Sequence, residues 1–274
     1  LDHLGSATLA QRLPGVTELA KSFANVDINK APIPVEPTCH YMMGGVPTNV
    51  NGQALTQDES GADVEIDGLF AVGEVANVSV HGANRLGGNS LLDLVVFGRA
   101  SGIHLEKLLK DGISFDEPSQ DDIDRACRQV RRWDESSDGE NPAVLKAELQ
   151  KTMQDYFGVF RTATEMQRGL EKLADLRERI SHSHLLDKSK VFNTARLEAL
   201  ELDNLMEVAD ATAEAAYNRQ ESRGAHARVD FEERDDENWL AHSLYHPTVR
   251  KLTKRKIDFT LKSMEPFQPT VREY

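Results

Sequence analysis

From residue 119 onward, apolar side chains recur at three- and four-residue spacing, the period of helices with one buried face. Ser119 and Asp122 form a capping-box pattern, and Ile123, Cys127, Val130 and Trp133 follow on one stripe. Asn141-Pro142 reads as an N-cap with proline at the first helical position, ahead of Leu145, Leu149, Met153 and Tyr156. Met166, Leu170, Leu173 and Ile180 predict a third helix. Asn193-Thr194 opens a fourth, with Leu197, Leu200, Leu205, Val208 and Thr212 running to about Glu221. Together they predict a mostly antiparallel bundle over residues 119–221 whose stripes are core. Beyond Arg223-Gly224 the pattern changes: Ile257, Phe259 and Leu261 alternate with polar residues, predicting a strand with one buried face. Pro247, Pro266 and Pro269 punctuate a small irregular tail, in which the acidic run from Glu232 to Glu237 reads as a solvated or interface surface.

Upstream the pattern is different. Leu91 to Phe97 is nearly apolar all round and predicts a buried helix, broken only by Asp93. Asp67 to Glu74 predicts a short apolar strand ending in glycine and a carboxylate. Pro32 to Pro37 predicts an extended segment, because proline fixes φ and denies a helix its N–H donor.

Composition sharpens this division. Of the 18 glycines, 13 lie in residues 1–104 with only 16 charged side chains, whereas residues 105–274 carry 61 of the 77 charges. Glycine-rich, charge-poor chain suits tight turns and close approach to a ligand; the charge-rich remainder suits amphipathic helices. Turn chemistry in Lys110-Asp111-Gly112 and Asp116-Glu117-Pro118 puts a boundary near 105–118. A net charge of −13 argues against nucleic acid as a partner, and the longest apolar stretch is far too short to span a bilayer. Two cysteines, Cys39 and Cys127, cannot build a disulfide framework or a zinc-finger ligand set, so a reducing compartment and no metal are expected. Opening at Leu1-Asp2-His3-Leu4 without an initiator Met or a targeting segment, the chain reads as a piece of a longer protein.

Candidate chemistry concentrates in residues 32–104. His40 sits before Gly44-Gly45, a pair that lets backbone pass close to a bound group; its alternative is a structural or merely exposed histidine. Glu74, at a strand end of the kind where α/β folds place ligands, is either a ribose- or ribityl-binding acceptor or a surface charge. The loop from His81 to Ser90 is polar and glycine-rich and leads into the apolar helix, whose N-terminus favours an anionic or electron-rich group. Gly82 to Gly87 has Walker A spacing, but the Lys-Ser/Thr that must follow is absent. Arg85 is the best candidate for a carboxylate binder, since guanidinium gives planar bidentate recognition; the alternative is an arginine that ties the loop down.

These residues carry a resemblance. The segments PTCHYMMGG, GLFAVGE and HGANRLGGNSLLDLVVFGR resemble the succinate dehydrogenase/fumarate reductase flavoprotein family, as do LELDNLMEVA, ESRGAHARVDF, RDDENWLAHSLYHP and VREY. The resemblance covers essentially the whole chain, and Leu91-Leu92-Asp93 with the C-terminal matches favours the succinate dehydrogenase branch. It implies that His40 and Arg85 bind substrate, that Glu74 binds FAD, and that Ser90 and Leu91 touch the flavin at the helix start. The implied reaction is succinate to fumarate by hydride transfer to FAD, with electrons passed through an iron–sulfur subunit, and membrane anchor subunits, to quinone. The implied location is peripheral, on the cytoplasmic face of a bacterial inner membrane or the matrix side of a mitochondrial one. No GxGxxG follows a strand here. The pyrophosphate motif, the covalent FAD attachment and the proton-accepting arginine are therefore expected upstream, and an autonomous active enzyme is not expected.

The fold class implied is an α+β multidomain fragment: the C-terminal part of an FAD-binding α/β domain, a helical bundle domain and a small C-terminal α+β domain. The divisions expected are residues 1–37 for the end of a capping domain, 38–110 for the last flavin-domain segment, 115–222 for the bundle and 223–274 for the tail. Two readings compete with the leading one: a fumarate reductase flavoprotein, which runs the reverse reaction, and a non-catalytic helical interaction domain. Aspartate oxidase is a lesser relative of the same motif group.

Overall fold

A computed structural model describes residues 2–35, 39–113, 117–260, 265, 267 and 270, and divides the chain into two units, Leu1–His40 and Tyr41–Tyr274. In the first unit a short 3-10 turn, Asp2–Leu4, precedes α1 (Ser6–Arg12) and α2 (Pro14–Ala24). Pro14 sits at the start of α2, where its missing N–H costs nothing, and Asn25 ends that helix in the left-handed region. Residues 31–35 form neither helix nor strand, as their prolines dictate; Glu36, Pro37 and Thr38 lie outside the described residues.

The second unit opens with two interleaved strand pairs. β1 (Val46–Pro47) runs parallel to β4 (Ala76–Asn77), and between them β2 (Gln53–Gln57) pairs antiparallel with β3 (Asp63–Phe70). The expected apolar strand to Glu74 is thus displaced. Pairing stops at Phe70, Glu74 falls in a 3-10 turn, Gly73–Val75, and β3 is largely exposed. The polar Asp63-Val64-Glu65 alternation pairs with β2 and draws the strand N-terminal to its most apolar residues.

α3 (Asn89–Asp111) contradicts the expectation of a buried apolar helix. Leu91 and Val95 are 71% and 69% exposed, and Leu92, Leu94 and Val96 are exposed as well, whereas Asp93 and Ser101 are buried. Two polar residues of the helix face the rest of this unit: Asp93 pairs with His81, and a Cβ added at Gly52 would meet Ser101 at 3.2 Å. Its long apolar face is left uncovered by the described residues.

The helical half follows its caps. α4 (Gln120–Glu135) starts at Ser119, which accepts from the Asp122 N–H at 3.2 Å. α5 (Pro142–Phe157) starts at Asn141, which accepts from the Ala143 N–H at 2.9 Å. After the two-residue β5 (Phe160–Arg161), α6 (Ala163–Ser181) is capped by Thr162, and α7 (Thr194–Asn218) by Asn193. The core is built by α5, α6 and α7, through Leu145, Leu149, Phe157, Met166, Leu173, Leu176, Ile180, Leu202 and Met206. α4 stands apart from that core and is held by Trp133 against Leu185 and Ala199. Two stripes were misphased. Ile123 and Val130 on α4, and Leu197, Leu205 and Val208 on α7, are exposed; the inner face of α7 is instead Ala199, Leu202, Met206, Ala209, Ala213 and Ala216. Alanines let α7 approach its neighbours closely, which a count of large side chains does not register.

β6 (Ala227–Arg228) runs parallel to β5, and after α8 (Asp236–Trp239) comes a hairpin of β7 (Ala241–His246) and β8 (Lys251–Lys256). The strand expected at Ile257 to Leu261 therefore lies one segment earlier. β8 ends at Lys256, Ile257 to Thr260 is irregular, and Leu261 is outside the described residues. The Lys-Leu-Thr-Lys-Arg-Lys strand hides in the sequence because its cations reach outward: Lys254 donates to the Asn238 carbonyl and lies over the Trp239 ring. Thr253 and Arg255 bind Gln57 and Ser79, tying the hairpin to the first half of the unit.

Candidate functional site

The loop between β4 and α3 carries Arg85, and the residue beneath it is Tyr41. The guanidinium lies 4.4 Å from the Tyr41 ring centroid, and its Nη1 donates to the Leu86 carbonyl at 3.1 Å. Arg85 Nε is buried without a hydrogen-bond partner among the described residues. Tyr41 is itself buried and meets His81 edge to face, with ring centroids 5.7 Å apart at 80°. His81 Nε2 in turn lies 2.9 Å from Asp93 Oδ2 on α3. Burial pushes the Tyr41 phenol up, the Asp93 and Glu74 carboxylates push the same way, and Arg85 and a hydrogen bond with Ser90 oppose them. Tyr41 therefore stays neutral at physiological pH, a fixed ring for the cation above it.

Glu74 completes this neighbourhood from the other side. Its Oε1 accepts from the Met42 N–H at 3.1 Å, pinning the segment that leads to Gly44-Gly45. A Cβ at Gly45 would fall within 2.8 Å of the Val75 carbonyl carbon, so only glycine fits this approach. α3 begins at Asn89, with Gly88 at φ 82 as its N-cap, and no side chain caps it. Ser90 and Leu91 occupy the second and third helical positions, Ser90 half-buried and Leu91 exposed. His40 is exposed and closes the first unit, one residue before Tyr41.

The second unit thus brings together Arg85, Glu74 and Ser90 of the expected residues, and adds three that the sequence reading passed over: Tyr41, His81 and Asp93. Each lies inside a motif already singled out. A lone carboxylate in the apolar run Leu91 to Phe97 was the available signal, because such a group must find a partner when it is buried. Among the described residues, no three His, Cys, Asp or Glu side chains gather to hold a metal ion.

Two family models match: an FAD binding domain over residues 1–91 and the fumarate reductase flavoprotein C-terminal domain over residues 146–274. The succinate dehydrogenase flavoprotein subunit of Coxiella burnetii is 56% identical over 273 residues, covering 100% of this chain and 46% of that protein. The chain belongs to the succinate dehydrogenase/fumarate reductase flavoprotein family. The fumarate reductase flavoprotein subunit of Proteus vulgaris is 41% identical over 252 residues, 90% of this chain and 40% of that one. Among solved structures, an E. coli quinol fumarate reductase variant superposes with a TM-score of 0.83 at 38% identity, covering 98% of this chain and 45% of that chain. The chain spans just under half the length of these family members.

FAD is the cofactor of this flavoprotein family and of the matched domain. The residues present suit part of such a group. The uncapped start of α3 offers positive dipole potential to an electron-rich ring edge, and open space lies where a Cβ would stand at Gly44.

Proposed function

We propose that this chain is part of the flavoprotein subunit of a succinate dehydrogenase, oxidising succinate to fumarate and passing electrons through an iron–sulfur subunit to membrane quinone. The observation that carries the reading is the match to a succinate dehydrogenase flavoprotein subunit along the whole chain. When bound, FAD supplies the hydride acceptor. Arg85, seated on Tyr41, presents a planar guanidinium whose Nε has no acceptor among the described residues, and so takes one substrate carboxylate in a charge-assisted contact. His40 donates to a carboxylate of the same dicarboxylate, which holds the central C–H bond in one orientation and so lowers the entropic part of the barrier. Glu74 fixes the Met42 backbone beside the cofactor, and Ser90 and Leu91 place the start of α3 against it. The group that accepts the substrate proton and the covalent attachment of FAD are assigned to the upstream part of the longer subunit. The exposed apolar face of α3 is the surface against which that part packs.

The subunit sits peripherally at a membrane, on the cytoplasmic or matrix side, through its iron–sulfur and anchor partners. Among the described residues, no helix of its own is long and apolar enough to cross one. The likeness to quinol fumarate reductase supports a second reading, the same site run in reverse. Both readings are tested in the full-length subunit assembled with its partners. Succinate-dependent dye reduction faster than fumarate-dependent oxidation of reduced dye supports the first, and the opposite ratio supports the second. Arg85→Ala is expected to keep its flavin and to lose succinate oxidation by at least about 100-fold, the cost of an unpaired substrate charge. Near-normal turnover in that variant would remove Arg85 from the site.

A further inference from the structure

α7 ends at Asn218, and the chain then makes a tight turn at Arg223–His226. The Arg223 N–H donates to the His226 carbonyl at 2.9 Å and the His226 N–H to the Arg223 carbonyl at 3.1 Å, with Gly224 at φ 60. The turn is braced from below. Glu221 is fully buried and accepts from Arg219 at 2.6 Å, from Arg223 at 2.7 and 2.8 Å and from the Asp235 N–H at 2.9 Å. His226 is held between Arg161 Nη1 at 2.8 Å and the Arg219 carbonyl at 3.2 Å.

The outer side of this braced turn meets the loop that carries Arg85. The Ala225 N–H donates to the Ala83 carbonyl at 3.1 Å. A Cβ at Gly224 would fall within 2.7 Å of the Ala83 Cβ and closer still to the Ala83 carbonyl oxygen. Ala83 stands two residues before Arg85, in a loop whose other tie is His81 to Asp93. A side chain at 224 would thus displace backbone, which cannot swing away as a flexible side chain can.

We infer that the Arg223–His226 turn is a positioning element for Arg85, with Gly224 and the Ala225 N–H setting the height of the 81–85 loop. The inference rests on the proposed role of Arg85 in holding a dicarboxylate. It makes the helical and C-terminal region a determinant of substrate affinity, since a shift of about 1 Å in a carboxylate clamp is enough to cost rate and binding.

The test uses the full-length subunit assembled with its partners, with malonate as the probe, a small dicarboxylate that cannot be oxidised at a central C–C bond. Gly224→Ala is expected to retain FAD in full while weakening malonate binding about tenfold or more and raising the succinate KM more than it lowers kcat. Arg223→Lys loosens the turn without adding bulk and is expected to act in the same direction, more weakly. Gly169→Ala is the control: its Cβ would meet Tyr156 and Phe157 inside the bundle. It should lower the melting temperature and leave malonate binding unchanged. Wild-type malonate affinity and KM in flavin-loaded Gly224→Ala or Arg223→Lys would overturn the inference. So would loss of flavin or assembly in both with Gly169→Ala intact, which would assign the turn to folding alone. Failure of the wild-type subunit to oxidise succinate would instead overturn the proposed function.

Discussion

A guanidinium stacked on an aromatic ring loses rotational freedom without losing its in-plane donors, and this is the state of Arg85 on Tyr41. The contact costs little to form because Tyr41 is already buried and braced edge-on by His81, which Asp93 orients from α3. The ring matters more than its hydroxyl for holding the cation. Tyr41→Phe should therefore change succinate KM little, while Tyr41→Leu removes a cation–π contact of about 0.5–2 kcal/mol and should raise KM by about 2- to 30-fold. Initial-rate kinetics on the flavin-loaded full-length subunit distinguish the two; equal KM values would show that Tyr41 does not orient Arg85. Arg85→Lys should restore little of what Arg85→Ala loses, because an ammonium neither stacks nor forks.

At the scale of elements, caps and large buried side chains give unequal contributions. Asn141 satisfies one N–H at the start of α5, so Asn141→Ala should cost about 1 kcal/mol. Trp133 is fully buried and is the main link between α4 and the rest, so Trp133→Ala should cost about 3–5 kcal/mol. Because α5, α6 and α7 build their core without α4, limited proteolysis of that variant should cut within 120–135 and spare 142–218. Uniform digestion of the whole bundle would refute this division. The same elements show what the sequence could convey. Ser119, Asn141 and Asn193 cap helices as read, since a cap is a local interaction between neighbours in sequence. Burial is a tertiary property, and there the reading erred. Leu197 and Leu205 of α7 point outward while Leu202 and the alanines pack, and the apolar face of α3 is exposed. The site was legible to the same extent: Arg85, Glu74 and Ser90 stood out as motif residues. Tyr41, His81 and Asp93 did not, because their roles depend on contacts between residues far apart in the chain, such as Tyr41 with His81 and Arg85.

The whole second unit has a further property that only its assembled charges create. His226 and His242 lie among the arginines that bind the C-terminal part together: Arg161, Arg219 and Arg228 around the first, Arg255 and Arg219 around the second, with Asp63 opposing weakly. Burial comes first in both; at His226 the hydrogen bond with the Arg219 carbonyl opposes it, the cations add to it, and the net effect pushes both imidazoles down to about 4. In the unfolded chain each would titrate near the ordinary histidine value of about 6.5. Between those limits the unfolded state binds more protons than the folded one, so stability is fully present above about 6.5 and falls as pH drops towards 4. Asp230, held down to about 2 by Arg228, keeps its contribution until the pH falls below about 4 and does not blur this window. From pH 7.5 to 5 the loss should be on the order of 1–2 kcal/mol for each histidine, read as a lower thermal midpoint of the full-length subunit. A double variant, His226→Gln with His242→Gln, cannot take up these protons and should show a flatter midpoint between those pH values, although it starts lower. An equally steep fall in the double variant would place the acid sensitivity on other groups and leave the arginine cage around the C-terminal segment without this pH-dependent weakness.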